Sequence, residues 1–97
     1  MAVEHFVAFK FKPDVSEARR EEHMENLRSL ESQIGVIRSL RCGRNFTDRA
    51  KGFDYGLIVT VADRHSLQVY ADHPSHIAVA GPLKADCDDV FALDFEC

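Results

Sequence analysis

Val3-Glu4-His5-Phe6-Val7-Ala8-Phe9-Lys10-Phe11 decides the fold of this chain. Val3, His5, Val7, Phe9 and Phe11 fall on one face by the two-residue period of a strand, and Glu4, Phe6, Ala8 and Lys10 fall on the other. Both faces are therefore at least partly apolar, so the strand needs cover on two sides. Pro13 ends it.

From there the pattern changes period. Asp14 or Ser16 can cap a helix that runs to about Gln33, with Met24, Leu27, Leu30 and Ile34 on its inner stripe. Glu21, Glu22, Glu25, Arg19, Arg20 and Arg28 make its wet face, where His23 is also expected. Gly35 suits the helix C-terminus. Residues 36–43 read as a second strand, with Val36, Leu40 and Cys42 opposite Ile37, Ser39 and Arg41. A polar loop follows over 45–52. Phe53, Tyr55, Leu57, Val59 and Val61 then alternate with Asp54, Gly56, Ile58 and Thr60 as a third strand. Asp63 caps a second helix carrying Leu67 and Tyr70, with His65 solvated on its polar side. His73-Pro74 interrupts this helix, since proline disfavours the helical conformation in the residue before it. A further helical piece spans Ser75 to about Lys84, and Val90 to Glu96 is the last strand, with Phe91, Leu93 and Phe95 on one face.

The order β-α-β-β-α-β predicts an α+β, ferredoxin-like monomer: one four-stranded antiparallel sheet with both helices on one side. Its 97 residues make one domain, residues 1–97. Two helices cannot cover both faces of such a sheet. A homodimer formed through the open face is the expected partner arrangement, burying on the order of 1,500 Å² or more.

Composition narrows the function classes. Net charge is −4 with a pI near 5.7, and the one basic cluster, Arg38, Arg41, Arg44, Arg49 and Lys51, is interrupted by Asp48. That is a solvated strand edge and loop rather than a nucleic-acid footprint. No apolar run approaches the roughly 18 residues of a membrane span, and Val3 to Phe11 reads as structure instead of a secretory leader. A cytoplasmic location is the expectation. Cys42, Cys87 and Cys97 are odd in number and scattered, as in a reduced protein. Asp86, Asp88 and Asp89 beside Cys87 raise its pKa and remove it as a nucleophile.

The chemistry-bearing segment is Tyr70-Ala71-Asp72-His73-Pro74-Ser75-His76. Imidazole titrates near neutral pH and phenol donates a hydrogen bond, so together they suit proton transfer if they share a cavity. His76 shares a helical stripe with Val79, Ala80 and Leu83 and faces inward. His5 points with Val7, Phe9 and Phe11, either into that cavity or toward a neighbouring backbone carbonyl. His73 and His76 have an i,i+3 spacing that suggests metal, but Pro74 lies between them and no third ligand is near, so no metal or other cofactor is expected.

The opening Glu4 to Lys12, the stretch Arg49 to Val59, the Tyr70 to His76 segment and the closing Leu93-Asp94-Phe95-Glu96 together resemble the stress-responsive dimeric α/β-barrel (Dabb) domain proteins over essentially the whole chain. The resemblance implies a ferredoxin-like monomer whose sheet meets a second copy to close a barrel. It leaves two functions open. One is a stress-associated homodimer without an assigned reaction, binding a small apolar ligand in a cavity lined by Tyr70 and His76. The alternative is a cofactor-independent lyase resembling the polyketide cyclases, closing a ring by aldol condensation. The resemblance then implies His76 as general base, Tyr70 as oxyanion donor, and His5, Tyr55 and His73 as pocket residues. Tyr55 stands where the cyclase pattern carries a histidine.

Overall fold

A computed structural model describes all 97 residues. The elements are β1 (Val3–Phe11), α1 (Glu17–Gln33), β2 (Ile37–Arg44), β3 (Tyr55–Val61), α2 (Arg64–Asp72), α3 (Pro74–Ala85) and β4 (Cys87–Glu96). They form the ferredoxin-like arrangement: a four-stranded antiparallel sheet in the order β2-β3-β1-β4. No helix is long and apolar enough to cross a membrane.

Strand β1 lies in the centre, and its register sets both faces. His5 sits opposite Val59 of β3 and Asp94 of β4, and Phe6 sits opposite Ile58 and Leu93. Side chains alternate across a strand. Val3, Val7, Phe9 and Phe11 thus join Tyr55, Leu57, Val59 and Val61 in the core under the helices. The other face collects Phe6, Ala8, Ile58, Phe91, Leu93 and Phe95.

Helix α1 starts at Ser16, whose Oγ accepts from the Arg19 N–H at 3.1 Å, so Ser16 rather than Asp14 satisfies the orphan donor. It buries Met24, Leu27 and Leu30, and Ile34 follows as its C-cap. His23 is not solvated as expected: it is 1% exposed. Its ring stacks on Phe11, and its Nε2 lies 2.7 Å from the Asp86 carboxylate, which also accepts from Arg19. Both partners are remote in sequence, so nothing in the periodicity of α1 announces this burial. His23 and then Arg19 hold the Asp86 carboxyl below its ordinary pKa. Gly35 lies in the turn after the helix but not in the left-handed conformation, which among the glycines belongs to Gly52.

Two strand readings change. A bulge between Ile37 and Ser39 pairs Ile37 with Val61 and Leu40 with Val59. The extra residue puts Ile37 and Leu40 on the same buried face, where simple alternation separates them. Phe53 lies before β3 and not on its core face; its ring packs beside Phe91 at 6.4 Å, on the open side.

Candidate functional site

The interruption between α2 and α3 builds the site. Asp63 caps α2 through the Ser66 N–H at 2.8 Å. Pro74 brings no N–H, and His73 before it is extended, with φ −66° and ψ 134°. In an unbroken helix the Tyr70 carbonyl would accept from residue 74 and the Ala71 carbonyl from residue 75. Here the Tyr70 carbonyl takes the His73 N–H at 3.2 Å, and the Ser75 N–H donates instead to His73 Nδ1 at 3.1 Å. The Ala71 carbonyl is left over, one of the orphans of a helix end. His76 Nδ1 fills it at 3.0 Å.

That hydrogen bond fixes a tautomer. A carbonyl oxygen only accepts, so Nδ1 carries the proton and Nε2 keeps its lone pair. The break also sets the relative aim of Tyr70 and His76. Six residues apart on a straight helix, they would lie about 120° apart around the axis. Across the bend their ring centroids are 4.5 Å apart, with planes inclined by 47°.

Both rings line a partly open cavity of about 280 Å³ between the helices and the sheet. His5, Asp94, Lys84 and Gln68 supply its other polar groups, and its walls are mostly apolar, including Val7, Leu57, Leu67 and Ala80. This is the composition of a small-molecule site, at the small end of the usual size range. Tyr70 is 1% exposed, and its hydroxyl has no hydrogen-bond partner within the chain although no sealed polar atom is left unpaired. A phenol with a free donor on a cavity wall is placed to meet a ligand oxygen. Burial pushes its pKa up to about 12, so it stays protonated at neutral pH. His76 is held below the ordinary histidine value, chiefly by burial, with smaller contributions from Lys84 and His5 and an opposing one from its bond to Ala71.

His5 does reach the cavity, with its ring edge-on to Tyr70 at 5.8 Å. Its partner is not a backbone carbonyl but the carboxylate of Asp94, bonded through Nδ1. Asp94 lies outside the Tyr70–His76 segment that marks the site in the sequence. Its signal is the alternation of β4, which turns Asp94 to the helix side while Leu93 and Phe95 face away, but only the β1–β4 register sets it opposite His5.

Tyr55 and His73 do not line this cavity. Tyr55 packs edge-on to Phe11 and donates its hydroxyl to Glu21 at 2.9 Å, at the other end of the sheet; burial and Glu21 push its pKa up to about 12. His73 is committed to capping α3, so its ring serves the backbone. Burial first, and then Asp86, push the Cys87 thiol up to about 11, as its acidic neighbours suggest.

Residues 3–97 match the stress responsive A/B barrel domain. The chain belongs to that family. Among its relatives, olivetolic acid cyclase from Cannabis sativa is 26% identical over 98% of this chain and 96% of that protein. A dimeric ferredoxin-like protein of unknown function from Jannaschia sp. CCS1 superposes with a TM-score of 0.87 at 27% identity, over the full length of both chains. The hydroxynitrile lyase of Passiflora edulis superposes with a TM-score of 0.90, over 97% of this chain and 91% of that one. At 17% identity that last likeness shows the fold alone. The sequence relatives of this chain thus include one named for cyclase chemistry, and its structural neighbours one of unknown function.

Proposed function

We propose that this A/B barrel protein is a homodimeric, cofactor-independent enzyme that removes a proton from carbon α to a carbonyl and forms a carbon–carbon bond with the resulting enolate. The observation that carries the reading is the Nδ1–H bond from His76 to the Ala71 carbonyl, which leaves Nε2 unprotonated in a ring 4.5 Å from that of Tyr70.

In the proposed cycle, Nε2 of His76 takes the α-proton of a keto substrate. Negative charge gathers on the carbonyl oxygen, and the Tyr70 O–H donates to it. The enolate carbon attacks a second carbonyl of the same chain, closing a ring. The alkoxide so formed recovers the proton from Nε2, and the base is regenerated. A buried, neutral imidazole and a phenol that stays protonated are the two protonation states this scheme requires. Olivetolic acid cyclase, similar over nearly the whole chain, supports aldol closure of a polyketide as the reaction class.

Dimerisation rests on the open face. Phe91, Leu93 and Phe95 are 49%, 52% and 48% exposed beside Phe6 and Ile58, an apolar stripe that a monomer leaves wet. A second copy related by two-fold symmetry covers it with the same residues, as the dimeric state of the Jannaschia neighbour supports.

The test is turnover of a panel of linear β-polyketide thioesters by the wild type, His76→Ala and Tyr70→Phe. Loss of the base is expected to lower kcat by about 10² to 10⁴. Equal rates for wild type and His76→Ala would remove the base assignment. An inert wild type across the panel would turn the cavity into a binding site without chemistry.

A further inference from the structure

The proposed chemistry uses one end of the cavity and leaves its one lysine unexplained. His76, Ala80 and Lys84 follow one another at intervals of four along α3, so they share a stripe about 80° wide, and all three line the cavity. Eight residues of helix put Lys84 about 12 Å along the axis from His76. Lys84 lies in the last turn of α3, at the exposed end of the stripe. The ammonium is not neutralised from within the chain. None of the ion pairs involves Lys84. The cavity's one carboxylate, Asp94, is engaged by His5, and the nearby Asp86 by His23 and Arg19. Ala80 separates Lys84 from His76 on the stripe, and Leu83, Val90 and Leu27 add to the apolar lining.

We infer that Lys84 selects ligands with an anionic group at its end of the cavity, held about one short alkyl chain from the atom that faces His76. This rests on the cavity being a ligand site, as proposed above, and names the class of molecule it takes: an acyl chain with an anionic group at one end. The anion is a carboxylate at the end of that chain. The positive end of the stripe also fits the helix C-terminus, where a lysine is favourable on its own account. That role alone makes no distinction between charged and neutral ligands.

Calorimetric titration of octanoate, 1-octanol and octanoyl-coenzyme A into the wild type, Lys84→Met and Lys84→Arg separates these roles. Lys84→Met is expected to weaken octanoate about three- to fivefold, the size of a partly solvated ion pair. Lys84→Arg keeps it within about twofold, and 1-octanol binds all three proteins alike. The loss shrinks as salt is added. A loss confined to octanoyl-coenzyme A, whose phosphates lie a long pantetheine arm beyond the acyl group, overturns the inference. Equal affinities of Lys84→Met and wild type for octanoate also overturn it, as do a parallel loss of 1-octanol and a wild type that does not bind octanoate. Because the readout is binding, a failed polyketide assay leaves this result standing, and equal affinities here leave the His76 chemistry untouched.

Discussion

Replacing Pro74 by alanine tests the origin of the His76 tautomer. Alanine restores an N–H at position 74 and is the best helix former, so the Tyr70 carbonyl regains its i+4 donor. The Ser75 N–H then competes for the Ala71 carbonyl, the acceptor His76 Nδ1 now holds at 3.0 Å. A single hydrogen bond of this kind contributes about 1 kcal/mol net. That corresponds to about a fivefold preference for the Nδ1–H form, because about 1.4 kcal/mol is tenfold. The wild type is therefore expected to show His76 mostly as the Nδ1–H tautomer in two-dimensional ¹⁵N NMR of the imidazole nitrogens. In Pro74→Ala the Nδ1–H signal falls and the Nε2–H signal rises. The Tyr70–His76 contact, 4.5 Å between ring centroids, loosens too as α2 and α3 straighten. A wild type with Nε2–H dominant, or identical tautomer populations in the two proteins, would refute the claim that the proline break sets the base.

Two further outcomes follow from the same geometry. His76 sits below its ordinary pKa of 6.5, so the rate of any reaction it catalyses rises with pH, with a midpoint under that value, and then levels off. Tyr70, at about 12, brings no descending limb in the neutral range; a rate that falls between pH 7 and 9 in a pH–kcat profile contradicts both assignments. His5, Asp94 and Lys84 face the same cavity, so the profile is compared with that of Lys84→Met. On the open face, Leu93 is half exposed, and burying its remaining half contributes about 1 kcal/mol. Two-fold symmetry counts Leu93→Ala twice, for about 2 kcal/mol or roughly a thirtyfold weaker dimer. Sedimentation equilibrium measures it, and a monomeric wild type at micromolar concentration removes the dimer.

Strand alternation carried most of the fold. Val3 to Phe11 and Tyr55 to Val61 read correctly because each strand is half covered by helices, and the period-2 pattern records that cover. It failed at Ile37, where one inserted residue in a bulge reverses the faces without a mark in composition. It failed at Phe53, which a polar loop carries to the other side of the sheet. In the site, Tyr70 and His76 were legible because the proline that joins them is a local signal. Asp94 was not, since its meeting with His5 depends on a strand register set by the whole sheet. His23 shows the same limit from the opposite side. A polar residue next to Met24 looks solvated until Asp86, 63 positions on, comes to meet it. Tyr55 and His73 carry groups suited to a site, yet their atoms are spent on Glu21 and on a helix cap.

The acceptor that orients His76 is a main-chain oxygen. Exchanging the side chain of residue 71 therefore leaves the orienting atom in place, and so does exchanging Leu67, Ala80 or Val90 on the wall. Recognition and reactivity are consequently separable in this scaffold: wall positions can be redesigned for a longer, shorter or neutral guest while the imidazole keeps its Nε2 lone pair. The one position where that independence ends is the imino acid at 74.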